Sequence, residues 1–219
     1  MKLLRCAFLL SILASVLPAH AIPVTDTVVV GNQEWAQVKL FTNVSWKDIN
    51  FQCPLGVCTS TSKVGVYSLE GWTWASALSV QELFNTYTGV PTSVGSSYGY
   101  RNSTWAPAFF GDFTPTRDSG WGAGYNADLE GWTATPVSDL GCVDCGRIGF
   151  MQMAPPATSY SFDSAGTSRI DDKANVSTLR GAYFVRDAEL VPSPVPIPAA
   201  IWLFGSALLG LGVIKRKRA

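Results

Sequence analysis

The chain has 219 residues, of which 47% are hydrophobic and 15% charged, and its 16 basic and 16 acidic residues give a formal net charge of zero. That neutrality is uneven: residues 22–198 hold ten basic residues against all sixteen acidic ones, a net charge of −6, which argues against nucleic acid as a partner because phosphate binding needs a basic surface. The one histidine, His20, falls within the first 21 residues, so the rest of the chain is without Ser-His-Asp or Cys-His catalysis, histidine-ligated zinc and histidine acid–base chemistry.

At the N-terminus, Lys2 and Arg5 precede an apolar run from Cys6 to Leu17. Ala19 and Ala21 then supply the small residues that a signal peptidase reads, so residues 1–21 are expected to be a signal peptide cut after Ala21. Residues 22–189 suit a single ectodomain with its own core. Residues 34–41 alternate as a strand does. Ser45-Trp-Lys-Asp48 has the spacing of a capping box and predicts a helix start. Residues 64–69 read as a second strand, and Ser79-Val-Gln-Glu82 as a capping box opening a helix over 80–87. From 89 to 141 the chain is dense in Gly, Pro, Ser, Thr and aromatics without helical periodicity, which predicts short strands and long loops. Residues 146–153 and 181–186 read as two further strands. The segment Leu69-Glu-Gly-Trp-Thr73 recurs as Leu129-Glu-Gly-Trp-Thr133 and reads as a local strand-turn solution used twice. The expected class is α+β, mainly β with one or two short helices.

Four cysteines follow the signal peptide: Cys53, Cys58, Cys142 and Cys145. In an exported chain disulfides persist, and three pairings are open. The local pairs Cys53–Cys58 and Cys142–Cys145 are expected, since each flanks a short turn-forming segment; a four-thiolate zinc site is the alternative. Residues 190–198 carry four prolines in nine positions and should form an extended stalk. Residues 199–214 are sixteen residues without a charge, followed by Lys215-Arg-Lys-Arg218. As a helix they would reach about 24 Å, a short membrane span, with residues 215–219 as its basic cytoplasmic end.

Among aromatic residues, Trp72, Trp74 and Trp132 are assigned to packing. Trp105 and Trp121, in the Gly-rich middle, are the candidates for stacking on a sugar ring. Asn126, Asp128 and Glu130 alternate, which would point three oxygen ligands one way, with Asp171 and Asp172 adding an acidic pair. Calcium gathers six to eight oxygens, and no complete calcium loop is present, so a solvated acidic face is expected. No catalytic residue, metal or cofactor is assigned.

The string from Val195 to Arg218, with its Val-Pro-Ile-Pro-Ala opening, apolar stretch and basic end, resembles the PEP-CTERM sorting signals of Gram-negative bacteria in their Val-Pro-x-Pro-Ala variant. Ile197 stands where that family has its glutamate. The resemblance implies that Val195, Pro196, Pro198 and Ala199 are read by a membrane-embedded exosortase-type transpeptidase that passes the protein to the cell surface or extracellular matrix. Separately, Val44-Ser-Trp-Lys-Asp48, Cys53, Leu69-Glu-Gly-Trp-Thr-Trp-Ala-Ser76 and Val80-Gln-Glu-Leu-Phe84 are similar to the opening of C-type-lectin-like domains. That likeness implies a C-type-lectin-like fold whose closing strand, 181–186, pairs near the N-terminus; a β-sandwich is the alternative. The expected function is a non-catalytic carbohydrate-binding or structural module at the surface, with signal peptidase, the transpeptidase, the membrane and exopolysaccharide as partners. The alternative is a secreted carbohydrate-active enzyme using a carboxylate pair.

Overall fold

The computed structural model describes residues 21–118, 126–137, 142, 144–154 and 162–188. Ala19, Trp121, the stalk with Val195, Pro196 and Pro198, Ala199 and the apolar tail lie outside the described residues. Every element below belongs to one unit ending at Asp187.

In chain order the strands and helices are β1 (Ile22–Pro23), β2 (Thr27–Val30), β3 (Gln33–Ala36), α1 (Trp46–Gln52), β4 (Lys63–Val64), β5 (Tyr67–Ser68), β6 (Thr73–Trp74), α2 (Ala77–Thr88), β7 (Ser97–Tyr100) and α3 (Trp105–Asp112), followed by β8 (Arg117–Asp118), β9 (Ala127–Val137), β10 (Cys145–Met153), β11 (Asp163–Asp172), β12 (Gly181–Ala182) and β13 (Phe184–Asp187). The protein is thus α+β and mainly β, with three helices among the described residues.

Local chemistry accounts for most element ends. Ser45 caps α1 as its spacing predicts: its hydroxyl accepts the Asp48 N–H, and the Asp48 carboxylate accepts the Ser45 N–H. The next helix starts three residues earlier than expected, because Ser76 rather than Ser79 is its cap and accepts the Ser79 N–H at 3.1 Å. Thr135 fixes that choice from across the fold by accepting the Ala77 N–H at 2.9 Å. The strand expected over 34–41 ends at Ala36. Gln37 turns its side chain to bridge the Asp112 carbonyl and the Thr114 N–H, and 38–41 becomes a 3-10 turn with Val38 and Phe41 both buried. Residues 64–69 form a hairpin end, not one strand: β4 pairs with β5 across Gly65, whose φ is +58°. The helix α3 lies inside the stretch expected to hold no helix; its Pro107 sits in the first turn, where no intrahelical N–H is needed.

Three sheets result. The largest has the order β12-β9-β10-β11-β7, with β8 beside β9, and its antiparallel core sets Ile148 opposite Trp132 and Gln152 opposite Asp128. A second, β2-β3-β13-β6, joins the two ends of the unit by pairing Val185 with Trp35 and Phe184 with Trp74. A small third sheet orders β1-β5-β4.

The side chains of α2 and α3, through Val80, Leu83, Phe84 and Phe109, pack on Leu129, Met151 and Ala165 of the large sheet. Helices therefore cover that face where a β-sandwich would lay its second sheet. A second core gathers Trp46, Trp74, Trp132, Ile148 and Phe184. Tyr183, fully buried, fills the slot opposite two glycines. A Cβ on Gly131 would stand 2.6 Å from its Cε2, and one on Gly149 would stand 2.9 Å from the same atom, so the ring fits only because both positions are bare. The repeated pentapeptide adopts two conformations: at Leu69–Thr73 it makes a turn with Gly71 at φ +76°, whereas Leu129–Thr133 runs straight through β9.

Candidate functional site

Both expected disulfides are present. Cys53 and Cys58 close the loop after α1 with Cα atoms 4.3 Å apart, and Cys142 and Cys145 close the entry to β10 at 5.6 Å. All four sulfurs are thereby used, which removes the four-thiolate zinc alternative, and among the described residues no cluster of His, Cys, Asp and Glu is placed to hold a metal. Lys47 and Lys173 bracket the Asp144 carboxylate inside the second loop at 2.6 and 3.5 Å. The Lys47 ammonium beside it holds the Asp144 carboxyl below its usual range.

The alternating acids of β9 are not a solvated face. Asp128 and Glu130 are 4% and 8% exposed, and arginines from distant elements neutralise them. Glu130 pairs with Arg169 through one oxygen and with Arg180, at 3.5 Å, through the other. Arg180 also reaches Asp171 at 2.7 Å. Burial pushes Asp171 up, but the Arg180 guanidinium, the Asp172 N–H and Asn175 together hold it below its ordinary value. The guanidiniums of Arg180 and Arg169 lie 4.6 and 4.1 Å over the rings of Trp132 and Phe150, so the lattice is roofed and floored by aromatic surface. Asp128 is the exception: Arg117 is 3.6 Å away, Oδ1 has no hydrogen-bond partner, and burial followed by the neighbouring Glu130 charge raises its carboxyl pKa. The lattice is structural in its geometry, since its acids are committed to cations rather than aimed into a cavity.

An open cleft lies instead at one end of the large sheet. It has a volume of about 520 Å³ and is lined by Asn102, Ser103, Pro107, Asn126, Met153, Ala154 and Asp163. These residues come from four places: the turn after β7, the first turn of α3, the start of β9, and the end of β10 beside the start of β11. Asp163 holds the cleft together. Its Oδ2 accepts the Ser103 N–H and its Oδ1 the Ala154 N–H, each at 2.7 Å, in a side chain that is 3% exposed. Both carboxylate oxygens are thus committed to backbone. Ser103 is committed too, its hydroxyl accepting the Ala106 N–H in the first turn of α3. The uncommitted polar groups are the side-chain amides of Asn102 and Asn126, both exposed and neither hydrogen-bonded to a described residue. Asn102 takes a left-handed φ of +50°, a conformation asparagine tolerates better than most residues. Pro107 and Met153 supply apolar wall.

Trp105 does not open onto this cleft. It is 8% exposed, packed in the core with its ring centroid 6.4 Å from that of Tyr98, and its indole N–H has no partner among the described residues. Trp72, Trp74 and Trp132 are buried packing residues, as expected. Of the cleft residues, only Asn126 carries a sequence signal, as one of three alternating candidate oxygen ligands. Asn102 and Asp163 are separated by sixty residues, and only the pairing of β7 with β11 brings them together.

No family model, no curated protein and no solved structure matches this chain.

Proposed function

We propose that this is an exported surface or matrix protein whose ectodomain is a non-catalytic carbohydrate-binding module. The observation that carries the reading is the cleft: two carboxamides that make no hydrogen bond to a described residue line a cavity in which the one described carboxylate is already spent on backbone amides. A carboxamide donates and accepts at once, which suits the adjacent hydroxyls of a sugar, and Pro107 and Met153 offer surface for its C–H face. A glycosidase needs a free acid and a second carboxylate across the same cavity. Asp163 has no free oxygen, and Asp128 and Glu130 are bound up with arginines away from the lining. Two disulfides favour the oxidising compartment that the N-terminal residues imply.

A C-type-lectin-like fold fits the same account. Pairing of β3, near the N-terminus, with the last strand β13, helices between them in the chain, and a separate large sheet support the likeness seen in the sequence. No helix among the described residues is long and apolar enough to cross a membrane. Anchoring is assigned to residues 199–214, and sorting to the motif from Val195 to Ala199.

A glycan array followed by calorimetry tests the module. Binding of a neutral oligosaccharide that falls about fivefold to thirtyfold in Asn102→Ala and in Asn126→Ala, each removing hydrogen bonds worth about 1–2 kcal/mol, is the expected result. No binding across the array, or release of new reducing ends from a bound glycan, overturns it; the second outcome selects the enzyme reading.

A further inference from the structure

The two most exposed large apolar side chains among the described residues sit four positions apart: Phe51, near the end of α1, is 82% exposed and Leu55 is 94% exposed. Leu55 also takes a left-handed φ of +54°, a conformation that costs any residue with a Cβ. The loop around it enforces both features. Cys53 and Cys58 close it, Pro54 enters it, and the buried Gly56 presses its far side onto β6, where a Cβ would stand 2.9 Å from the Trp74 carbonyl oxygen. Leu55 is the part left to project.

Beside this knob is a hole. Phe51 lines a pocket of about 170 Å³ together with Val44, Val64, Gly65, Asp48 and Lys63. A cavity of about 150 Å³ accepts a benzene-sized group, so a leucine side chain fits this one. Asp48 and Lys63 are exposed, and neither makes an ion pair with a described residue although both line the same pocket. Oδ2 of Asp48 caps α1, while Oδ1 makes no hydrogen bond to a described residue. The apolar surface continues past Gly65 to Val66, 59% exposed, and to Ile22, 54% exposed, whose N–H donates to the Val66 carbonyl at 2.8 Å.

We infer that this face is a two-fold interface between two copies of the chain, with Leu55 of each copy seated in the pocket beside Phe51 of the other. A two-fold contact uses one surface twice, so that surface must carry both halves of every interaction. This one carries a knob and a hole, an uncommitted acid and an uncommitted base. Asp48 of each copy faces Lys63 of the other, which sets register and orientation more than affinity. At about 150–200 Å² for a whole side chain, Phe51, Leu55, Val66 and Ile22 expose about 500 Å² per copy and about 1,000 Å² in all, the lower bound for a specific interface and the size of a reversible one. A lipid surface would take the knob but leave the pocket and the acid unused, and the net charge of −6 on residues 22–198 repels an anionic bilayer.

The test is sedimentation velocity of the exported chain from about 1 to 100 μM, the range in which an interface of this size dissociates. The expected result is a monomer–dimer equilibrium whose Kd rises at least about tenfold in Leu55→Gly and in Phe51→Asp, since each change acts twice per dimer, and by a smaller factor in Lys63→Glu. Leu55→Gly also relieves the left-handed backbone, so its monomer should melt no lower than wild type, which separates loss of the interface from loss of the fold. Carbodiimide treatment of mixed isotopically heavy and light chains should join Asp48 of one copy to Lys63 of the other. A chain that stays monomeric throughout the range overturns the inference. So does a dimer that Leu55→Gly and Phe51→Asp leave unchanged, which would place the contact elsewhere, the apolar residues 199–214 included. A monomer that binds phosphatidylcholine vesicles through Leu55 overturns it too and assigns the knob to a lipid surface. Asn102→Ala should leave dimerisation intact, so failure of the cleft and failure of this interface are separable.

Discussion

Replacing Glu130 by glutamine keeps the volume of the side chain and removes its charge, which isolates the electrostatic role of the β9 acids. In the structure two guanidiniums lose their shared partner. Removing one member of a buried ion pair costs about 3–5 kcal/mol, because the other charge is left uncompensated. Two features pull the figure toward the lower end: Arg169 is 35% exposed at its side chain and regains water, while Arg180 keeps Asp171 at 2.7 Å. The expected loss is therefore about 3 kcal/mol, or about 6–12 °C in Tm for a domain of this size. Urea unfolding followed by tryptophan fluorescence reads it directly, since Trp132 lies beneath Arg180. A solvated acidic face predicts a change within about 0.5 kcal/mol, and that result would refute the buried lattice.

Asp128→Asn should stabilise the protein at neutral pH, by about 1.4 kcal/mol for each unit by which burial and Glu130 raise the acid's pKa, less what Arg117 loses. The effect fades with acid: a raised folded pKa contributes stability at low pH that is lost as pH climbs through it, so the advantage of the asparagine should vanish as wild type protonates. Melting both proteins between pH 3 and 8 checks this, and a gap that does not narrow toward low pH counts against it. Gly131→Ala should cost about 1–3 kcal/mol by forcing a methyl against Tyr183 and Val38, whereas Gly111→Ala, in α3 with open space around it, should gain up to about 1 kcal/mol; parallel denaturant melts compare them. Ser76→Ala should cost about 1 kcal/mol by uncapping α2, with Glu82→Ala near neutral in the same assay.

What the sequence disclosed was governed by how local each signal is. The capping box at Ser45 was readable because both of its hydrogen bonds close within four residues. The start of α2 was displaced because Ser76 and Ser79 are equally good caps locally, and Thr135, nearly sixty residues on, decides between them. Helix α3 carried no periodic signal because Trp105, Ala106 and Phe109 are buried while Phe110 is also apolar, which erases the polar stripe that marks a helix. Glu130 looked solvent-facing because its neutralising arginines lie 39 and 50 residues away. Both disulfides were legible, being closures of three and five residues. The cleft was not, since strand register assembles Asn102, Asn126, Met153 and Asp163, and of these only Asn126 belongs to a spacing pattern, the alternation with Asp128 and Glu130.

Mass spectrometry of the intact exported protein bears most directly on the account of a disulfide-closed ectodomain sent out of the cell and sorted by its tail. The predicted species begins at Ile22, is four hydrogens lighter than its reduced form, and ends within the sorting motif near Pro196 to Ala199. A chain recovered from the cytosol with Met1 in place, five reactive thiols and the basic residues 215–218 still attached would contradict it.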